Sequence, residues 1–412
     1  MDKKQVGAWA LYDFANSVYP AVITTAVFSA YYAEVVVGGE GGAGTRWWGA
    51  AVSTSALIVA LTAPLLGAIA DRSGARKKFM FFYTGLCIAG VLMMTTLDVG
   101  MVVYGFSLFV VANIGFESAM VFYNSFLSEI APPEHRGWVS GLGFGVGYAG
   151  SAIGLVLAIP LVGDIWKVWL MTGLFFFVFS LPALIYLPSD AKGTMSVRAA
   201  AAWGATHFRS IVREVLELPD LRRFLLAFFF YIDGVLTIIV MAGVVAAETF
   251  GFEEVDRIVL FLVVQISALL GAFAMAKPTD TWGPKRVLNG VLVLWIGASI
   301  AAFFIEDRTV FFALAVIAGF GLGSVQSASR TFVSLLIPQG KTSEMFGFYA
   351  LCGKSSSVLG PLLFGLATTL AGGNQRPGFF VVAALFIVGL VLLQGVHDPH
   401  VGSAVGVEQA ET

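Results

Sequence analysis

Charged residues are scarce in this 412-residue chain: they make up 12% of it, about half of the share in an ordinary soluble domain. Hydrophobic residues make up 58%, and so few charges cannot cover the surface of a water-soluble globule of this length. The same composition excludes intrinsic disorder, coiled coils and collagen-like structure. The chain is therefore predicted to be a polytopic membrane protein.

Cysteine and histidine are also rare, and the acidic and basic residues nearly balance. The two cysteines, Cys87 and Cys352, fall inside apolar runs, where they are expected to be small buried side chains rather than a disulfide or a metal site. A formal net charge of −2 gives no reason to expect a nucleic-acid partner. The sequence also has no Gly-x-x-x-x-Gly-Lys-Ser/Thr loop for ATP hydrolysis. We expect no cofactor, no metal and no enzymatic activity.

Twelve segments are long and apolar enough to cross a bilayer, which takes about 20 residues each. They are approximately residues 8–36, 48–70, 78–97, 101–127, 138–162, 167–187, 223–247, 256–276, 286–305, 309–333, 345–371 and 377–395. Seventeen of the 24 lysines and arginines fall on the side of the N-terminus and five on the other side. Because cytoplasmic loops carry the excess of Lys and Arg, the sequence predicts an all-α, twelve-helix membrane protein with both termini inside.

The longest loop, about residues 188–222, lies between the sixth and seventh spans and joins the two halves of the chain. Phe208, Ile211 and Val215 there belong to an apolar stripe with helical spacing, which predicts an amphipathic helix on the cytoplasmic membrane surface that ends at Pro219. The predicted domains are a six-helix bundle at 1–187, this linker at 188–222, a second six-helix bundle at 223–395 and a short polar tail at 396–412.

An internal repeat relates the two halves at a nearly constant offset. Phe126-Leu-Ser128, Pro132 and Gly141 recur as Phe332-Val-Ser334, Pro338 and Gly347, each 206 residues later. Asp71-Arg-Ser-Gly74-Ala-Arg76-Lys77 recurs as Asp280-Thr-Trp-Gly283-Pro-Lys285-Arg286, 209 residues later. Six spans, a tether and six related spans are typical of a pseudo-twofold transporter with a substrate site near the midplane.

The first copy of this loop resembles the signature loop between the second and third helices of the major facilitator superfamily. A narrower resemblance, to its vacuole-effluxer branch, covers nearly the whole chain. It rests on Trp9-Ala-Leu-Tyr12-Asp13-Phe-Ala-Asn16-Ser17, Tyr231-Ile-Asp233-Gly234, Gln326-Ser-Ala-Ser329-Arg330, Phe346-Gly347-Phe-Tyr349 and Gly360-Pro361. Fungal members of that branch are linked to autophagy and export amino acids from the vacuole, so the resemblance implies a secondary transporter.

Ionisable and amide side chains inside the predicted spans are the candidate substrate-binding or coupling residues, because charge at a helix centre is costly and persists where it is used. Several share a helical face, and in the superfamily the first, fourth, seventh and tenth helices line the central cavity. The candidates are Asp13, Asn16, Asn113, Glu117, Asn124, Asp233, Thr237, Gln326, Arg330 and Lys354. Asp13 and Arg330 could instead be interhelical latches, and Lys354 could be either a substrate ligand or a counter-ion.

Mixed charges of this kind suit a zwitterion. Arg330 or Lys354 would attract a carboxylate, and an acid would accept an ammonium group, so we expect a small-molecule substrate such as an amino acid. The histidines lie outside the predicted spans, so a proton route would use carboxylates, with Glu117 and Asp233 as candidates. Proton coupling is favoured and sodium coupling remains open. The alternative function is movement of a lipid or lipid-linked substrate on the same fold.

A second group of residues is expected to gate the cytoplasmic side. In the superfamily, the acid at the position of Asp71 interacts with the eleventh helix and stabilises the outward-facing state. The candidate gating residues are Asp71, Arg72, Gly74, Arg76, Glu129, Arg136, Asp280 and Gly283. We expect a monomeric multi-pass protein in the lipid bilayer of a bacterial plasma membrane.

Overall fold

The computed structural model describes residues 1–38, 42–190 and 192–398, without the side chains of residues 254, 255 and 258. The tail beyond residue 398 lies outside this range. The described part is all-helical. Its helices are α1 (Lys3–Asn16), α2 (Phe28–Ala30), α3 (Ala43–Ser73), α4 (Arg76–Met93), α5 (Val102–Ser125), α6 (Leu127–Ile130), α7 (Arg136–Ala158), α8 (Ile165–Tyr186), α9 (Val197–Glu217), α10 (Pro219–Glu248), α11 (Glu254–Thr281), α12 (Pro284–Phe304), α13 (Arg308–Leu336), α14 (Thr342–Ser356), α15 (Leu359–Leu370) and α16 (Gly378–Gln394).

Every predicted apolar segment is largely helical, and the first and the eleventh are interrupted well inside their bounds. After α1, the first segment continues through the π-helical turns Pro20–Ala26 and Tyr31–Val36. The eleventh is divided into α14 and α15. Within the described residues, nine helical stretches are long and apolar enough to cross a membrane; they include Pro133–Tyr186, which contains both α7 and α8, while α16 is shorter at 17 residues.

The chain forms two compact units. Among the described residues, unit 1 comprises those within 1–130, 146–211 and 339–351, and unit 2 comprises those within 131–145, 212–338 and 352–398. The start of α7 therefore belongs to unit 2 and the start of α14 to unit 1.

In unit 1, α1 packs on α8 and α4 packs on α5. A glycine also brings α7 against α1: a Cβ on Gly150 of α7 would lie 2.2 Å from the carbonyl oxygen of Phe14 on α1. In unit 2, α11 packs along α13 and α10 along α16. Gly150 and Gly154, four residues apart on α7, thus let this helix closely approach α1 and the residues just after it.

The linker helix α9 packs partly against the protein. Ile211 and Val215 of its apolar stripe are buried, whereas Phe208 is exposed. The helix bends at His207 and ends at Glu217, and Pro219 begins α10.

Candidate functional site

Two equivalent loops place a carboxylate at the end of a helix. Asp71 lies in the last turn of α3, which is ended by Gly74 in the left-handed conformation (φ 59°). Asp280 lies in the last turn of α11, and Gly283 has φ 90° directly before α12. A residue with a side chain is strained at such positive φ values, so the repeated glycine is explained by the sharp turn that follows each Asp.

In unit 1, Asp71 caps the start of α14. Its Oδ1 accepts the N–H of Ser343 at 3.1 Å and its Oδ2 accepts the N–H of Glu344 at 2.9 Å. These are two of the N-terminal N–H groups that have no partner inside a helix, and the carboxylate also complements the positive end of the helix dipole. Gly67 allows this approach, because a Cβ there would lie 2.2 Å from the carbonyl oxygen of Ser343.

In unit 2, Asp280 caps the start of α7 in the same way. Its Oδ1 accepts the N–H of Gly137 at 2.6 Å and its Oδ2 accepts the N–H of Trp138 at 2.8 Å. Gly137 and Trp138 lie 206 residues before the two residues capped by Asp71, which is the offset of the internal repeat. We call these two contacts the gate caps.

Basic residues surround the gate caps in each unit. Arg72 forms an ion pair with the buried side chain of Glu344 at 2.9 Å, and the indole ring of Trp203 in α9 lies 3.6 Å from its guanidinium. Arg76 is paired with Glu129. In unit 2, Nη1 of Arg136 donates to the backbone oxygen of Ser334 at 2.7 Å. The sequence identified the basic residues and missed the partners Glu344, Ser334 and Trp203.

The other candidates of unit 1 lie on α1 and α5. Asp13 and Asn16 are buried together, with Nδ2 of Asn16 at 3.3 Å from Oδ1 of Asp13. Asn113 is also buried; it donates to Oγ of Ser55 at 2.9 Å and lies in hydrogen-bond reach of the hydroxyl of Tyr19. Two further candidates on α5, Glu117 and Asn124, are half-buried.

In unit 2, Asp233 and Thr237 contact the break between α14 and α15. Oδ1 of Asp233 accepts the N–H of Gly360 at 3.0 Å, whereas its Oδ2 is buried without a hydrogen-bond partner. Both side chains are fully buried. Gly360 is the close partner that sequence reasoning missed; the signal was Gly-Pro within an apolar segment, together with three successive serines at 355–357.

Arg330 is buried and tied to the start of α7. Its Nε and Nη2 donate to Oγ and the backbone oxygen of Ser140 at 3.0 and 2.7 Å, and its guanidinium lies over the ring of Phe144. These contacts favour the interpretation of Arg330 as an interhelical latch. Gln326 is half-buried on the same helix, and Lys354 is half-buried in the last turn of α14.

Unit 2 also contains an apolar cavity of about 100 Å³. Side chains of α10, α11, α12, α13, α15 and α16 line it, among them Met241, Phe261, Trp295, Ala298 and Phe364. The lining is almost entirely apolar, so the cavity suits a hydrocarbon or aromatic group.

Comparison with known proteins identifies the family of the chain and several relatives. Residues 50–401 match the family described as "Vacuole effluxer Atg22 like". The chain is 29% identical to the uncharacterized MFS-type transporter YxiO of Bacillus subtilis over 409 residues, 95% of this chain and 94% of that protein. It is 25% identical over 297 residues to autophagy-related protein 22 of Saccharomyces cerevisiae, covering 62% of this chain and 56% of the yeast protein.

Solved structures give the fold. The human organic anion transporter MFSD10 superposes with a TM-score of 0.81 at 16% identity, covering 96% of this chain and 100% of that one. The major facilitator superfamily proton:xylose symporter XylE superposes with a TM-score of 0.71 at 14% identity, covering 95% and 94%. The fold is therefore that of the major facilitator superfamily.

Proposed function

Because the chain belongs to the vacuole effluxer Atg22-like family of the major facilitator superfamily, we propose that it moves a small zwitterion, such as an amino acid, by proton-coupled alternating access. That it is a multi-pass membrane transporter and not an enzyme follows from the family and its relatives. The substrate, the coupling ion and the transport cycle are the proposal.

The gate caps are the observation that carries alternating access. Each cap joins a helix end to the start of a helix from the other half of the sequence, through two hydrogen bonds to one carboxylate. These two hydrogen bonds can break while both helices stay intact. We propose that both caps hold the cytoplasmic side closed and that their release lets α7 and α14 move.

The substrate class rests on charges of both signs buried within apolar helices. Asp13, Asp233 and Arg330 are each at most 4% exposed, and Glu117 and Lys354 are half-buried. In the proposed cycle the acids receive the ammonium group of the substrate and Lys354 its carboxylate, with Arg330 available when its latch to Ser140 opens.

For coupling we favour a proton over sodium. A carboxylate such as Glu117 or Asp233 needs no further ligand to take up a proton.

The proposed topology has twelve spans with both termini inside, in bundles at 1–187 and 223–395 joined by the linker at 188–222. The 54-residue helical stretch Pro133–Tyr186 is long enough for two crossings of a core about 30 Å thick. We place the protein, as a monomer, in a bacterial plasma membrane.

Purified protein in proteoliposomes tests the function. We expect uptake of labelled amino acids above equilibrium under an inward proton gradient and not under an inward sodium gradient. Asp233→Asn should abolish this accumulation and retain exchange of labelled for unlabelled substrate, while the matched variant Asp220→Asn, at the start of the same helix, retains both. If neither gradient drives uptake of any amino acid or small peptide, the zwitterion proposal is contradicted.

The apolar cavity favours one alternative, movement of a lipid or lipid-linked substrate. Vesicles containing a fluorescent lipid analogue would show accelerated transbilayer exchange, and Ala298→Phe, which fills the cavity, would slow it. If the protein does not accelerate exchange, the lipid alternative is rejected.

A further inference from the structure

The eleventh predicted span is interrupted inside the apolar region. α14 ends at Ser356 and α15 begins at Leu359. Backbone groups freed by such a break need partners, because the bilayer core supplies no water. At the end of α14, the hydroxyls of Ser356 and Ser357 donate to the backbone oxygens of Gly353 and Lys354 at 3.0 and 2.9 Å.

At the start of α15, the partner comes from another helix. Oδ1 of Asp233 on α10 accepts the N–H of Gly360 at 3.0 Å. The approach is so close that a Cβ on Gly360 would lie 1.9 Å from Oγ1 of Thr237 and 2.7 Å from Oδ1 of Asp233. The cap on α15 therefore requires glycine at 360.

The second oxygen of the Asp233 carboxylate accepts no hydrogen bond. Oδ2 of Asp233 is buried without a hydrogen-bond partner, in a side chain that is 0% exposed. Within the described residues, Asp233 takes part in no ion pair. A buried charge without a counter-charge is costly, so Oδ2 marks a place that a positive charge can occupy.

The surrounding elements supply few charges of their own. α15 and α16 contain no charged residue between their printed bounds. On α13, the guanidinium of Arg330 is engaged by Ser140 and Phe144. On α14, Lys354 lies in the last turn before the break, and on α10 the hydroxyl of Tyr231 pairs with Oγ of Ser329 at 2.7 Å.

The oxygens present fit a proton better than a metal ion. A hard metal ion needs several oxygen ligands; calcium, for example, takes six to eight. Here Oδ1 is engaged by Gly360, and the hydroxyl of Thr237 donates to the backbone oxygen of Asp233 at 2.7 Å. A proton needs Oδ2 alone.

We propose that Oδ2 of Asp233 is a proton-binding site and that its occupancy controls the cap on α15. The ionised carboxylate accepts strongly from Gly360 and complements the helix dipole. Proton binding removes the charge and weakens the cap, which lets α15 pivot at residues 357–358. This inference rests on the proposed proton coupling and adds the structural change that coupling would drive.

Hydrogen exchange measured by mass spectrometry tests it in protein reconstituted in nanodiscs. We expect protection of peptides covering residues 357–366, corrected for the intrinsic pH dependence of exchange, to fall about tenfold between pH 8 and pH 5. Asp233→Asn should give low protection at every pH, and the matched variant Asp220→Asn should keep the wild-type profile. Gly360→Ala should lower protection throughout, with partial recovery in Gly360→Ala/Thr237→Ala.

A flat wild-type profile would overturn the proposal without any variant, as would an unchanged pH response in Asp233→Asn. A response to sodium instead of pH would replace the proton with a metal ion. If the exchange results hold but no zwitterion is transported, the proposed substrate fails and the proton site stands. If proton-driven uptake depends on Asp233 but exchange at 357–366 does not, the inference fails and the proposed function stands.

Discussion

Replacing Asp71 by Asn should open the gate cap on α14 and leave the helix itself intact. The carboxylate accepts two backbone N–H groups, from Ser343 and Glu344. Asn keeps one acceptor oxygen, and its NH₂ group faces an N–H that it cannot bind. The loss of one hydrogen bond to a charged group costs about 2 kcal/mol, which is a change of roughly 30-fold in the equilibrium between capped and open states.

A cysteine at residue 343 measures this equilibrium. Ser343 is 0% exposed when capped, so Ser343→Cys reacts with a water-soluble thiol reagent only from the open state. Cys87 and Cys352 are the chain's own cysteines and are replaced by serine in the background. Labelling should accelerate in Asp71→Asn by the fold-change given above. Asp190→Asn is the matched control, because Asp190 binds the N–H groups of Lys77 and Lys78 at the start of α4.

The second gate cap distinguishes a shared opening of both caps from local fraying of α14. If both caps belong to one transport equilibrium, Asp280→Asn should also accelerate labelling at residue 343, although Asp280 caps α7 in unit 2. The double variant should then approach roughly 10³-fold, since changes without shared partners add in free energy. Acceleration in Asp71→Asn alone would show local fraying of α14 and refute the reasoning that the two caps form a gate.

Two further predictions concern the packing of unit 2. Gly323→Ala should lower the melting temperature in detergent, because its Cβ would lie 1.8 Å from the backbone oxygen of Ala268 and overpacking costs about 1–3 kcal/mol. The control Gly297→Ala has open space around its Cβ and should raise the melting temperature slightly. Equal effects of the two variants would contradict the tight crossing of α11 and α13. Arg330→Lys should also lower the melting temperature, because lysine cannot make both hydrogen bonds of Arg330 to Ser140. If the variant instead loses substrate affinity at an unchanged melting temperature, Arg330 is a substrate ligand.

The sequence predicts the helices well because lipid imposes a simple requirement on them. The apolar segment 138–162 corresponds to α7 at Arg136–Ala158, and 223–247 corresponds to α10 at Pro219–Glu248. Hydropathy reports length and composition, so it does not show interruptions inside a segment. Pro20 begins a π-helical turn in the first segment, and Pro361 follows the break in the eleventh. Neither proline predicts an interruption by itself, because lipid-embedded helices also tolerate proline without a break.

The partners of the candidate residues were harder to predict than the residues themselves. The repeat relates Asp71 to Asp280, 209 residues later, and Gly137 to Ser343, 206 residues later. Either of the two contacts therefore implies the other. Such symmetry is absent for Arg330, whose equivalent in the first half is Asn124. Its contact with Ser140 depends on how α7 and α13 pack, and no local pattern encodes that.

Carboxylate caps and glycine crossings are two kinds of contact that hold the helices together. Where glycine brings a helix against a neighbouring carbonyl, as at Gly323, sliding would drive backbone atoms into each other. The caps from Asp71, Asp280 and Asp233 instead bind the starts of α14, α7 and α15 through hydrogen bonds to a carboxylate. Releasing one costs a few kcal/mol at most and leaves each helix intact. α14 and α15 form one interrupted span with a cap at both helix starts, so this span can bend at residues 357–358 while each helix stays intact.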